Sequence, residues 1–193
     1  MPAYVALLRG VNVGASGSLS MERLARAAQG PEILRVRTYL TTGNLLFWSP
    51  QVPTAHLRIL LEERLPPRLG RRVDLQVFSR EEWRGLIRGN PLPSQARVDP
   101  AQLLLYPLAA TPSPGAWKRT VEAAPGPEIL RRRGRGLYVY YPDGIAGSRL
   151  TPALLERCLG QSTTGRNWNT ARRILQLLEA TEGPEPSLPR SGA

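Results

Sequence analysis

The hexapeptide Gly-Pro-Glu-Ile-Leu-Arg occurs twice in this chain, as Gly30–Arg35 and again as Gly126–Arg131. Each copy stops a helical pattern with Gly-Pro and opens an apolar strand with Ile-Leu. Each also follows a strand and a helix in the same order. The same punctuation at matching points of a 193-residue chain points to two related halves that arose by duplication. The bare alternative is that two helix ends converged on one stop signal.

The first half spells out its elements. Tyr4 to Leu8 is an apolar run before Gly10 and reads as a buried strand. Ser20 caps a helix over Met21 to Gln29, which Gly30-Pro31 ends. Ile33 to Leu40 is a second strand, Thr41-Thr42-Gly43-Asn44 has hairpin-turn chemistry, and Leu45 to Trp48 is a third. Thr54 caps a helix to about Leu65, where Pro66-Pro67 is expected to stop it, and Val73 to Phe78 is a fourth strand. This β-α-β-β-α-β order is the ferredoxin-like α+β pattern. The next segment reads as a helix, Arg80 to Arg88, and a loop, Asn90 to Pro100. The second half holds a strand Gln102–Tyr106, a helix near Gly115–Ala123, and strands Ile129–Arg132 and Leu137–Tyr141. A Thr151-capped helix then runs to Leu159, and a last helix covers Trp168–Ala180. The organisation is therefore 1–79 as the first ferredoxin-like half, 80–100 as helix and linker, and 101–180 as the second half with an extra C-terminal helix. The Glu-, Pro-, Gly- and Ser-rich tail 181–193 is expected to be disordered.

Topology then makes a geometric prediction. In this fold the loop after the first strand, the hairpin turn, and the connection into the fourth strand meet at one edge. That brings Arg9, Gly10, Asn12, Gly14, Thr42, Gly43 and Asn44 together with Arg68, Arg71 and Arg72. Glycines let backbone approach a ligand, arginine grips phosphate or carboxylate with two donors, and asparagine can orient a polar group. The bland alternative is turn glycines, with asparagines that satisfy loop backbone. The matching loop of the second half, Pro107 to Pro112, is apolar, which favours one site over two. Near the C-terminus Asn167 is a good N-cap and Trp168 a core residue, while Arg166, Asn167 and Asn169 can also contribute to the same site.

The formal net charge is +11, and Lys118 is the only lysine among 26 basic residues. A basic surface attracts phosphate polymers, although arginine excess is also what a GC-rich genome produces. The densest cluster is Arg131, Arg132, Arg133 and Arg135, ahead of the aromatic strand Leu137–Tyr141. Arg-Gly before aromatics faintly resembles an RNA-stacking strand; a solvated hairpin whose tyrosines pack between the halves is the competing reading. Catalytic machinery is sparse. Asp74, Asp99 and Asp143 stand in no motif, His56 is the only histidine, and no zinc set, carboxylate pair or nucleophile elbow is present. No cofactor or metal is expected. One cysteine, Cys158, no visible secretory signal and no membrane-length apolar run together point to the cytoplasm.

Three stretches resemble a known family. Tyr4-Val5-Ala6-Leu7-Leu8-Arg9-Gly10-Val11-Asn12-Val13-Gly14 resembles the opening signature of a large bacterial family, domain of unknown function (DUF) 1697. Thr41-Thr42-Gly43-Asn44 resembles its Ser-Gly-Asn turn, and Arg166-Asn167-Trp168-Asn169-Thr170 its C-terminal signature. The chain departs from the family at Gly165, where threonine is usual, and at Thr42, where serine is usual. The resemblance implies a fold and marks positions, but it implies no reaction. The functional expectation is a protein that binds phosphate-bearing partners, foremost nucleic acid (DNA or RNA), through its basic surface. The alternatives are an enzyme or sensor for a small anionic metabolite at the first-half edge, and an interaction module without ligand.

Overall fold

A computed structural model describes residues 1–10, 19–69 and 73–180 of the chain. The sequence readings on Asn12, Gly14, Arg71, Arg72 and the tail 181–193 lie outside these residues, as does the side chain of Arg68.

The first half runs β1 (Ala3–Leu8), α1 (Met21–Ala28), β2 (Leu34–Tyr39), β3 (Asn44–Trp48), α2 (Thr54–Leu69) and β4 (Leu75–Ser79). Two helices, α3 (Arg80–Arg88) and α4 (Pro93–Val98), lead to the second half. This contains β5 (Leu103–Pro107), α5 (Pro114–Glu122), β6 (Ile129–Arg133), β7 (Gly136–Tyr140), α6 (Pro152–Leu159), β8 (Arg166–Asn167) and α7 (Trp168–Glu179). The strands form two four-stranded antiparallel sheets, ordered β2-β3-β1-β4 and β6-β7-β5-β8.

Alternation along the central strands sets the layers. Tyr4, Ala6 and Leu8 of β1 join Leu24 of α1 and Leu57, Leu61 and Leu65 of α2 in an outer core. Ala3, Val5 and Leu7 point the other way, into an inner core shared with Leu103 and Leu105 of β5 and with α3 and α7. The far face of the second sheet, with Leu104, Tyr106 and Val139, packs on α5 and α6. β1 and β5 are thus covered on both faces, which is why they read as unbroken apolar runs. Within the inner layer the Trp83 indole donates to the Ala171 carbonyl at 3.0 Å, which ties α3 to α7.

Three readings need correction. The loop Asn90–Pro100 contains α4, which opens on Pro93. Proline pre-sets the first helical residue, and a six-residue helix is too short to show a period. Pro66-Pro67 does not end α2, which runs on to Leu69. Buried Leu65 and Leu69, four residues apart, hold this last turn against the outer core. The second sheet has a fourth strand, β8, that the sequence did not reveal; two residues carry no alternation.

The repeated hexapeptide lies between the first helix and the second strand of each half, but one residue out of structural register. Leu34, not Ile33, pairs opposite Trp48 as Ile129 pairs opposite Tyr140. Ile33 therefore faces the outer core while Ile129 packs against the inner one, the flip that a one-residue slip imposes. The two glycines also have different neighbours. A side chain at Gly30 would collide with the Arg64 guanidinium, and one at Gly126 would meet the Glu128 carboxylate.

Candidate functional site

The described ends of the segments expected to converge do meet. The Leu8 amide donates to the Gly43 carbonyl at 2.8 Å, and the Arg9 amide to the Asp74 carbonyl at 2.9 Å. The end of β1, the β2–β3 turn and the entry to β4 thus meet at one edge. The second sheet brings β8 to the same place, so the edge becomes one wall of a cleft of about 1500 Å³ between the halves. Arg9, Gly10, Leu40 and Thr42 line it from the first half, and Tyr106, Ile145, Thr164 and Arg166 from the second.

Arg166 is the centre of this arrangement. It starts β8 opposite Leu105 and is only 6% exposed. All five of its N–H donors are used. Nε donates to Asn44 Oδ1 at 2.5 Å. Nη1 donates to Thr164 Oγ1 at 2.8 Å and to the Gly165 carbonyl at 2.9 Å. Nη2 donates to the carbonyls of Thr42, at 3.1 Å, and Leu8, at 3.4 Å. The five acceptors are neutral. The guanidinium therefore staples β8 to the first half, but no carboxylate among the described residues stands against its charge. Burial alone pulls its pKa down, to about 10, as expected for a cation that has lost water without gaining a counter-ion.

The neighbouring charges are balanced locally. Arg9 bridges the halves through Glu156 at 2.6 Å and stands 4.0 Å from Asp74. Arg58 donates to both oxygens of Glu62 at 2.8 Å. Asn44 is fully buried, and its Nδ2 donates to the Tyr39 carbonyl and to Thr42 Oγ1. Asn167 lines the cleft, and its Oδ1 accepts the Thr170 amide, the N-cap of α7. Asn169 is exposed on α7. The side chains expected to grip a ligand directly are thus largely committed to the fold, and of the arginines described in the cleft lining, Arg9, Arg58 and Arg166, Arg166 alone has no carboxylate beside it. Gln76 adds a third link between the halves by donating to the Ser162 carbonyl at 2.8 Å. Among the described residues no group of three His, Cys, Asp or Glu side chains could hold a metal, and no helix is long and apolar enough to cross a membrane.

Residues 1–138 match the sequence profile of a family described as "Protein of unknown function (DUF1697)". The chain belongs to the DUF1697 family. The match takes in the opening signature and the turn around Asn44, while Arg166 to Thr170 lies beyond it. Among solved structures, conserved bacterial protein SP0830 from Streptococcus pneumoniae superposes with a TM-score of 0.69 at 21% identity. The alignment covers 92% of this chain and 98% of that one, and shows the shared fold. Among curated protein sequences none is significantly similar.

Glycine at position 165 has a steric reason. A Cβ there would stand 2.6 Å from the Tyr106 ring, so the aromatic takes the space that a side chain would fill. The arginine hairpin is only partly available in this DUF1697 chain. Arg135 is bound to Glu82 at 2.9 Å, to the Leu108 carbonyl at 2.9 Å, and lies over the Phe78 ring. Arg132 lies over Trp117. Arg131 and Arg133 are exposed. Tyr138 is buried, donates to the Leu86 carbonyl at 2.6 Å and packs against Trp168. This is the inward packing that the hairpin's competing reading anticipates, and a tyrosine so placed offers no face to a base. Sequence reasoning did not single out Leu40, Tyr106, Ile145 or Thr164 as lining residues; the topology of the second sheet alone brings the last three to the edge.

Proposed function

We propose that this protein binds a small anion, a phosphate or carboxylate group, in the cleft between its two sheets. The observation that carries this reading is the Arg166 guanidinium, buried at the cleft wall with five neutral acceptors and no counter-ion among the described residues. An unneutralised buried charge costs several kcal/mol, and an anion in the cleft offsets that cost at short range in a poorly screened environment. Arg166 supplies field here, not hydrogen bonds, because its donors are taken.

The test is to supply the counter-ion internally. Asn44→Asp keeps an acceptor on Nε and places a carboxylate beside the guanidinium; Thr164→Asp does the same at Nη1. The wild-type protein is expected to bind inorganic phosphate by titration calorimetry, and either folded variant to bind at least tenfold more weakly. Arg131→Ala with Arg133→Ala, away from the cleft, should leave the affinity unchanged. Folded Asp variants that bind phosphate as wild type does would rule the reading out.

A second reading keeps nucleic acid as the partner, on the net charge of +11 and exposed Arg131 and Arg133. It predicts binding to single-stranded RNA or DNA that weakens steeply with salt and that the Arg131/Arg133 double substitution reduces. Anisotropy titrations with no signal at low salt would remove it. We also infer that the halves descend from one ferredoxin-like unit. Identical strand order, with helices after the first and third strands of each sheet, supports this better than the displaced hexapeptide does. A cytoplasmic location remains the expected one on the unpaired Cys158.

A further inference from the structure

The cleft is larger than a phosphate group needs, and beside its charged lining residues it carries two exposed apolar side chains. Leu40 is 48% exposed and Ile145 is 40% exposed, and both line it, one from each half. They stand among few large hydrophobic side chains that are exposed in the described residues. Leu40 carries a second penalty: its φ is +58°, in the left-handed region, where a branched side chain is strained and glycine or asparagine is at ease. The Asn44 side chain holds this turn by donating to the Tyr39 carbonyl, immediately before Leu40. An exposed leucine in a strained conformation at a cleft mouth is what a contact with a ligand would offset. The volume of about 1500 Å³ likewise exceeds the roughly 300–1,000 Å³ of typical small-molecule sites.

We propose that the ligand is an organic anion with an apolar body, its charged group near Arg166 and its body against Leu40 and Ile145. This rests on the anion-binding reading above and specifies its substrate class. The two residues are specificity determinants, since neither touches the charge.

The experiment compares phenyl phosphate with inorganic phosphate by titration calorimetry, in the wild type and in Leu40→Gly combined with Ile145→Ser. Leu40→Gly relieves the strained φ, so the variant is expected to stay folded; a thermal melt verifies this. The wild type should bind phenyl phosphate at least tenfold more tightly than inorganic phosphate. The double variant should lose that preference and keep its affinity for inorganic phosphate. Equal affinities in the wild type, or a preference that survives in the variant, overturn the proposal while leaving anion binding intact. Failure of both ligands to bind the wild type overturns the anion-binding reading and this one with it.

Discussion

At the scale of single residues, the sequence shows which positions come together more clearly than what their side chains do there. Arg9, Asn44 and Arg166 stand in signatures and do meet at the cleft. Nothing in a one-dimensional pattern shows that Asn44 would spend its amide on Tyr39, Thr42 and Arg166, because those partners lie up to 122 positions away. Gly165 is a sharper case. Methyl addition at 2.6 Å from a buried ring forces a shift in a packed core, so Gly165→Ala should cost about 1–3 kcal/mol. Urea unfolding measures this, and in a Tyr106→Leu background the cost should shrink, since the colliding ring is gone. An unchanged cost in that background would show that the strain lies elsewhere.

At the scale of elements, legibility follows length and periodicity. The central strands were readable because burial on both faces leaves them apolar throughout, and the capped helices because their first turns carry recognisable acceptors. β8 was not, for its identity as a strand rests on pairing with Leu104 and Leu105 and on no property of Arg166-Asn167 itself. Caps give the cleanest test at this scale. Ser79 Oγ accepts the Glu82 amide at 3.1 Å while the Glu82 carboxylate accepts the Ser79 amide at 2.8 Å, a reciprocal pair at the head of α3. Ser79→Ala should lower stability by about 1 kcal/mol. The loss should appear as a shift in the denaturant midpoint with an unchanged slope, because the surface exposed on unfolding is the same.

At the scale of the whole molecule, the buried ionisable groups set the alkaline limit of the fold. Burial pushes the phenols of Tyr138 and Tyr141 up to about 12, and Tyr106 higher still. The unfolded chain gives up these protons near pH 10 and the folded chain later, so each phenol's contribution is intact below about pH 10 and is lost as pH rises from there towards 12. Arg166 acts in the opposite sense. Its folded pKa of about 10 lies below the ordinary 12.5, so above pH 10 the folded state sheds an expensive charge and gains stability. Burial raises the Tyr4 phenol as well, so four losses outweigh one gain. Stability measured by urea unfolding should fall between about pH 10 and pH 12, by at most about 1.4 kcal/mol per unit for each phenol, and Tyr141→Phe should flatten the slope. A rise over that interval would mean the guanidinium dominates.

The staple at Arg166 also bears on what can be taken apart. Its acceptors at Leu8, Thr42 and Asn44 belong to one half and its backbone to the other, while both halves bury residues in the same inner core. The halves are therefore not interchangeable modules, whatever their ancestry. A chain cut in the short link between α4 and β5 should persist as a pair of fragments that purify together, and either fragment made alone should be insoluble until it meets the other.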